Sequence, residues 1–313
     1  MTKIVTKEKE FNPKLITKQK GLNAKWRDNL TGWFFISPML LGFIIFMFAP
    51  LVYAFFMSLN DWPLLGEKTF IGIENYQGVI EDPTFIISLK NTALFSLGLV
   101  PLNILLALLL ASLLKNNFAG IGFFRTAIFV PVITSMVVWA IVWKYLLAPE
   151  LGVINQLLDL AGIQGPSWLL NTNTALPSVI FISVIKNVGL NMILFLVAMQ
   201  QVPTELYEAA ELDGASPFKK FRKITLPLIT PTVFLTMIIT TIGAMKVFGQ
   251  IYIMTRGGPV DSTKVIVYYI WETAFKHFDM GYASAIAFVL FFILLAFTIL
   301  SWVVRKRWVF YEE

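Results

Sequence analysis

Residues Glu208 to Pro227 read EAAELDGASPFKKFRKITLP and lie between two hydrophobic segments. The stretch begins with Glu208-Ala209-Ala210, continues with Asp213-Gly214-Ala215 and closes with Ile224-Thr225-Leu226-Pro227. Helix and turn signals inside it indicate a polar, folded loop rather than a plain connector. In a hydrophobic chain, such a loop has the features of a docking element.

The signals for local structure in this loop are specific. Thr204 is placed to act as the N-cap of a short helix over 205–213, and acidic residues near its start suit the helix dipole. Gly214 is placed to end that helix in the left-handed conformation. Ser216 followed by Pro217 is a second start signal. The loop over 204–227 is therefore predicted to be a helix–turn–helix at the membrane surface.

The first of these helices carries the residues that a partner would contact. Ala209 and Ala210 are small enough to let a partner surface approach closely, and Glu208 and Glu211 can pair with basic groups on it. The competing interpretation is an ordinary amphipathic loop between two spans. The run of motif elements in a fixed order favours docking.

The composition points to a membrane protein. Of the 313 residues, 57% are hydrophobic and 14% are charged, whereas a soluble domain carries about 25% charged residues. The mean hydropathy is +0.72. The chain has no cysteine and one histidine, His277, so thiolate and multi-histidine metal sites are excluded and no metal site is expected. The net charge of +6 is attributed to basic loops at one membrane face, and no nucleic-acid partner is expected.

Six segments are long and apolar enough to cross a bilayer, which requires about 20 residues each. They cover residues 31–59, 91–114, 124–147, 175–200, 224–249 and 280–304. The predicted fold is therefore all-α, a polytopic membrane protein with six transmembrane helices. It is expected to comprise a basic tail over 1–30, a transmembrane domain over 31–304 that includes loop 204–227, and a short tail over 305–313.

Lysine and arginine set the orientation, because they accumulate on the cytoplasmic side. With both termini inside, the cytoplasmic segments hold the basic residues of the first tail and also Lys115, Arg125, Lys219, Lys220, Arg222, Lys223, Arg305, Lys306 and Arg307. The outer segments hold fewer: Lys68, Lys90, Lys144, Arg256, Lys264 and Lys276. This bias predicts a multi-pass protein of the cell membrane, in contact with membrane lipid, whose loop 204–227 and two termini are cytoplasmic.

Residues Glu208 to Pro227 resemble the E-A-A loop of membrane subunits of ATP-binding-cassette importers. The similarity covers nearly the whole chain and is strongest to binding-protein-dependent carbohydrate permeases of the maltose-permease type. Further matching pieces are Phe124-Arg125 with Pro131, Asn155, Thr255-Arg256-Gly257-Gly258-Pro259 and Gly281-Tyr282-Ala283-Ser284-Ala285. The terminal Arg305-Lys306-Arg307-Trp308 differs from the glycine-containing tail of the second permease type, so the chain resembles the first type.

The resemblance implies a coupling helix that sits in a cleft of a cytoplasmic ATPase. Five residues would make that contact: Glu208, Ala209, Ala210, Asp213 and Gly214. It also implies three partners, namely a dimer of ATP-binding subunits, a second permease and an extracytoplasmic solute-binding protein. The chain has no G-x-x-x-x-G-K loop, so we expect it to bind no cofactor and ATP to be hydrolysed by a partner.

Two other classes of function remain open. A stand-alone secondary carrier or facilitator would need neither an ATPase nor loop 204–227, but the spans contain no Asp or Glu of the kind that proton-coupled carriers bury. A membrane-embedded enzyme would need clustered catalytic residues, and one histidine, no cysteine and acid-free spans disfavour it. The expected activity is import of a carbohydrate by alternating access, with no enzymatic activity in this chain.

Polar residues within the spans are candidates for the substrate path. Lys186 is the charge that lies well inside a span, and Asn187 and Asn191 are about one turn apart near it. Thr236 and Thr240 share a face of the fifth span. The alternatives are a lysine that snorkels to the interface and hydroxyls that bond neighbouring helices.

Overall fold

The structure of the protein is a computed structural model, which describes residues 22–64, 66–116, 118–307 and 309–310. Residues 1–21 of the predicted basic tail, and Trp308 and residues 311–313 of the other tail, lie outside these ranges. The chain divides into two compact units, Met1–Ala54 and Phe55–Glu313. The described part is helical apart from one small pair of strands, as the sequence predicts.

The first unit contains helix α1, Leu22–Phe43, which begins eight residues before the predicted end of the tail. A π-helical turn, Ile44–Phe48, follows it and leads into α2, Ala49–Ser58, whose last residues belong to the second unit. Pro38 lies inside α1 without ending it. The apolar helical segment Asn29–Ser58 is long enough to span a membrane, in agreement with the predicted first span.

The remaining elements follow in chain order. They are β1 Asn60–Asp61, β2 Thr69–Phe70, α3 Glu74–Glu81, α4 Pro83–Leu113, α5 Ile121–Ile133, α6 Met136–Leu146, α7 Val153–Leu160, α8 Ala175–Gln200, α9 Thr204–Leu212, α10 Pro217–Lys220, α11 Leu226–Leu228, α12 Thr230–Met245, α13 Gly249–Met254, α14 Ile266–Phe275 and α15 Met280–Val304. Strands β1 and β2 pair antiparallel, with Asn60 opposite Phe70. A π-helical turn, Phe221–Thr225, joins α10 to α11.

Among the described residues, five helical segments are long and apolar enough to cross a membrane. These segments are Asn29–Ser58, Pro83–Leu113, Ala175–Gln200, Thr230–Met254 and Met280–Val304. Helices α5 and α6 form the sixth crossing if the bent pair is taken as one span. The predicted count of six spans is therefore confirmed in that sense.

The third predicted span, 124–147, is not one helix. Helices α5 and α6 meet at 101°. Pro131 lies near the end of α5, and Thr134 and Ser135 then adopt extended conformations, with ψ values of 136° and 137°. The helix continues through Pro131 and ends at Ile133, because Thr134 and Ser135 leave the helical conformation.

Two further boundaries differ from the prediction. Helix α4 begins at Pro83 rather than at residue 91, because Asp82 caps it through a hydrogen bond from the amide of Thr84, 2.8 Å long. The region 250–279, which lies between the fifth and sixth predicted spans and is expected to be an outer loop, contains most of α13 and all of α14. The apolar face of α14 is buried against α15, with Ile266 and Ala285 fully buried.

The core of the second unit is built around α4 and α8, which pack along each other. One buried cluster joins them to α13 through Phe95, Val179 and Ile251. A second cluster lies at the other end of α8, around Met192, Met199 and Ile229. This second cluster is the platform on which loop 204–227 rests.

Candidate functional site: an exposed loop and a polar cleft

Helix α9 ends in a Schellman motif. The amide of Ala215 donates to the carbonyl of Ala210 at 2.9 Å, and the amide of Gly214 donates to that of Glu211 at 3.0 Å. Gly214 has a φ of +68°, in the left-handed region that glycine adopts without steric cost. The structure thus agrees with the predicted helix terminator, and the chain turns sharply at this residue.

The start of α9 differs from the prediction. Thr204 is the first residue of the helix and not its N-cap; Pro203 precedes it, and no side chain caps the first turn. The second start signal agrees with the structure, because Ser216 Oγ accepts a hydrogen bond from the amide of Lys219 and Pro217 opens α10. The expected helix–turn–helix is therefore present, with its first helix shifted by one residue.

The inner face of the loop is fixed to the rest of the second unit. The hydroxyls of Tyr207 and Thr225 are hydrogen-bonded at 2.7 Å, which joins the two ends of the loop. The ammonium group of Lys115, just after α4, lies 4.0 Å from the centre of the Tyr207 ring. Phe221 and Ile224 pack against the second core cluster. These contacts hold α9 in a defined position on the helices.

The outer face of the loop is open in the part of the chain that the structure describes. Among the residues predicted to meet a partner, Glu208, Ala209, Glu211, Asp213 and Gly214 are exposed, and Ala210 is half-buried. The structure therefore brings the predicted docking residues together on one helix and its turn. Glu211 also forms an ion pair with Lys220, 3.5 Å long, across the turn.

Two apolar side chains also lie on this outer face, and the sequence reasoning missed one of them, Leu212. Leu212 is 91% exposed and Phe218 is 70% exposed. The spacing of Phe218 and Phe221 predicts that they share one face of the second short helix, but in the structure Phe218 is exposed and Phe221 is half-buried against the second core cluster.

The structure gives Lys186 a role at the bend between α5 and α6. Its ammonium group donates to the carbonyls of Pro131 at 2.9 Å and Thr134 at 2.7 Å. The break in the helix frees these carbonyls, and a buried cation satisfies them. Lys186 is 7% exposed and does not line the cleft described next.

A cleft of about 400 Å³ opens between α4, α8, α12 and the start of α13. Three of the five predicted substrate-path residues line it: Asn187, Asn191 and Thr240. Thr236 does not, because it is 1% exposed and its hydroxyl donates to the carbonyl of Thr232 at 2.7 Å. Thr236 thus takes the alternative role of a hydroxyl bonded within the helices.

The cleft also contains residues that the sequence reasoning did not assign to it. Lys246 and Gln250 add a cation and an amide, and Phe248 adds an aromatic ring. The positions of these residues depend on the break between α12 and α13, where Lys246 ends one helix and Gly249 begins the next. The only sign of this break in the sequence is the isolated Gly249.

An ion cluster lies in the predicted outer region, on α14 and the loop before it. Glu272 forms ion pairs with Lys264 and Lys276, at 2.9 and 2.8 Å, and Asp261 pairs with Lys264 at 2.9 Å. Burial alone would raise the pKa of Glu272, but the two lysines outweigh it and leave this pKa below its ordinary value. Burial likewise lowers the pKa of Lys264, yet Glu272 and Asp261 bring it above its ordinary value. Within the described ranges, no three His, Cys, Asp or Glu side chains are grouped as metal ligands.

Comparison with known proteins extends these findings. A family model described as "Binding-protein-dependent transport system inner membrane component" matches residues 103–309. The probable ABC transporter permease protein YurN of Bacillus subtilis is 37% identical over 280 residues, which cover 88% of this chain and 96% of that protein. The trehalose/maltose transport system permease protein MalF of Thermococcus litoralis is 33% identical over 279 residues, covering 88% and 93%.

A solved structure has the same fold. It is that of a bacterial alginate ABC transporter in complex with an alginate pentasaccharide-bound periplasmic protein. One of its chains superposes with a TM-score of 0.80 at 23% identity, over 92% of this chain and 98% of that one. The similarity establishes the helical arrangement.

Proposed function

The chain belongs to the family of binding-protein-dependent transport system inner membrane components, and on that premise we propose that it imports a carbohydrate in an ATP-driven complex. It is a multi-pass membrane permease subunit of an ABC transporter. Relatives named for trehalose, maltose and arabinooligosaccharides support a carbohydrate as the solute. A separate ATP-binding dimer, a second permease and a solute-binding protein complete the proposed complex.

The observation that carries the proposal is the outer face of α9. It exposes Glu208, Ala209, Asp213 and Leu212 on a helix whose inner face is fixed to the helices by Tyr207. A short, firmly anchored helix can transmit a push, whereas a mobile loop would absorb it. We infer that this face docks into the ATP-binding subunit on the cytoplasmic side.

The proposed mechanism is alternating access. Closure of the ATP-binding dimer moves α9, and the second core cluster passes this movement to α8 and α12 because both helices contribute to the cluster. These two helices line the cleft, so its opening changes with their positions. The cleft receives the solute from the binding protein on one side and releases it on the other.

The test is a charge reversal on the docking face. Glu208→Lys places a cation among exposed acidic residues, and we expect ATP-driven uptake to fall at least about tenfold, because a like charge then faces the basic groups of the partner. The matched control is Asp159→Lys, the same reversal at an exposed residue of α7, a short helix joined to the opposite end of α8.

Both variants are measured after purification of the native complex in mild detergent and reconstitution into vesicles with ATP inside. Normal uptake and normal association of an ATPase in Glu208→Lys would overturn the docking role. Uptake by the chain alone, without a nucleotide-binding subunit, would instead support the facilitator.

A further inference from the structure

Asn103 is a fully buried amide in α4 that does not line the cleft but contacts a residue that does. Its side-chain oxygen accepts a hydrogen bond from Nδ2 of Asn191 in α8, at 2.5 Å. Its own Nδ2 donates to the main-chain carbonyl of Val184 at 3.3 Å. Asn191 Nδ2 donates in addition to Thr240 Oγ1 in α12, at 3.0 Å. Three spans are thus joined by one chain of hydrogen bonds.

The contact with Val184 determines which group donates and which accepts in each of these hydrogen bonds. A main-chain carbonyl can only accept, so Asn103 must turn its NH2 group toward Val184 and its oxygen toward Asn191. Asn191 must then turn its own NH2 group toward that oxygen, because two facing amide oxygens repel each other. Turning over either amide would place oxygen against oxygen in a buried site and leave polar groups unpaired.

The consequence is a defined pair of groups in the cleft. The oxygen of Asn191 accepts no hydrogen bond from any described residue, and this residue lines the cleft. Thr240 accepts from Asn191, and its hydroxyl donates to no described group. Its neighbours Thr236 and Thr241 behave differently, since each donates to the carbonyl four residues earlier, at 2.7 and 2.8 Å. The cleft therefore presents one free acceptor beside one free donor.

We propose that Asn103 is a positioning residue that fixes the Asn191 amide, so that Asn191 and Thr240 together bind a hydroxyl group of the transported solute. A hydroxyl donates one hydrogen bond and can accept others, and it satisfies both groups at once. A solute rich in hydroxyl groups is the class that this pair recognises. This inference rests on the proposed function, because it takes the cleft as the solute path.

The test compares Asn103→Leu with Asn103→Asp. Leucine has no acceptor oxygen, so Asn191 loses its fixed orientation. We expect the KM for uptake to rise about fivefold with little change in kcat, because a fivefold change corresponds to the loss of about one hydrogen bond. The carboxyl group of Asn103→Asp would be fully buried, which favours the neutral carboxylic acid. Its O–H can then donate to the carbonyl of Val184 while its other oxygen faces Asn191, so the KM of this variant should stay near the wild-type value. Uptake is measured in vesicles with labelled maltose, trehalose and arabinotriose as probes.

A double-mutant cycle separates positioning from general stability. In an Asn191→Leu background the oriented amide is gone, so adding Asn103→Leu should not raise the KM further. If Asn103→Leu does not assemble, Asn103→Ala replaces it, because alanine also lacks the acceptor and needs no additional space. An unchanged KM in the leucine or alanine variant, or effects that simply add in the cycle, would overturn the positioning role. Failure of the wild-type complex to import these probes or any other mono- or oligosaccharide would instead contradict the proposed carbohydrate function.

Discussion

Lys186 lies in α8, yet its ammonium group is 2.9 Å from the carbonyl oxygen of Pro131 in α5. The same group reaches the carbonyl of Thr134, on the other side of the break. A single buried cation therefore stabilises the point where α5 turns by 101° into α6. This interaction explains how an apolar span accommodates a lysine that forms no ion pair with a carboxylate among the described residues.

We expect Lys186→Met to destabilise the protein by about 2–4 kcal/mol, because it removes two charge-assisted hydrogen bonds and leaves carbonyls unpaired. The unfolding temperature can be followed by the intrinsic fluorescence of the nine tryptophans. Lys144→Met is the matched control, since Lys144 is exposed and reaches one carbonyl, that of Ile253, at 3.2 Å. Equal stability of the two variants would contradict the role of Lys186 at the bend.

Gly214→Ala should cost about 1 kcal/mol and reduce coupling between ATP hydrolysis and uptake. The cost comes from the backbone, since a φ of +68° is strained for any residue with a Cβ. A steric clash is not the cause, because the added Cβ would meet no atom within 4 Å. Gly122→Ala serves as the control: its surroundings are equally open, but it lies within α5 and its φ is not in the left-handed region. That substitution should leave stability unchanged or raise it by up to about 1 kcal/mol. Similar losses in both variants would argue against a backbone cause.

Gly189→Ala should be more damaging, by about 1–3 kcal/mol. A Cβ on this residue of α8 would meet the carbonyl of Ile128 and the main chain of Phe129 in α5, which cannot move aside as a side chain can. Gly98→Ala in α4 is the comparison, because its Cβ would meet only the flexible side chain of Ile180. The unfolding temperature of Gly189→Ala should be well below that of Gly98→Ala. The reverse order would show that α5 and α8 are not held in close contact at Gly189.

The ion cluster around Glu272 predicts a pH dependence of stability. Since the pKa of Glu272 is lowered from 4.5 in the folded protein, its contribution is present above pH 4.5 and is lost as the pH falls below that value. The pKa values of Lys264 and Lys276 are raised from 10.5, so their contribution is present below pH 10.5 and is lost as the pH rises above it.

Glu272→Gln should therefore reduce the free energy of unfolding at neutral pH by an amount on the order of 2 kcal/mol, because it leaves two lysines without their shared carboxylate. The unfolding temperature should fall accordingly. The difference from the wild-type protein should narrow on acidification below about pH 4.5. Glu74→Gln, at an exposed acid of α3, should show no such dependence. If the difference in unfolding temperature between the wild-type protein and Glu272→Gln stays constant down to pH 3, the stabilising role of the Glu272 carboxylate is refuted.

Much of the fold could be predicted because its determinants are local. Apolar length identifies the spans, since a bilayer core admits only segments that satisfy their own backbone. Gly214 and Ser216-Pro217 specify their turns through their own conformational preferences, and both agree with the structure. The predicted N-cap at Thr204 is wrong by one residue because the start of a helix depends on which residue adopts an extended conformation, and here Pro203 takes that place.

The sequence by itself determined the all-α membrane architecture and the position of the loop 204–227, because hydropathy and turn chemistry act over a few neighbouring residues. Only the tertiary structure decided what the polar residues inside the spans do. Lys186 stabilises a bend, Thr236 is bonded within its own helix, and Asn191 is held by Asn103, 88 positions away, beside Thr240. A buried polar group must find a partner, and which partner it finds depends on the packing of helices distant in sequence.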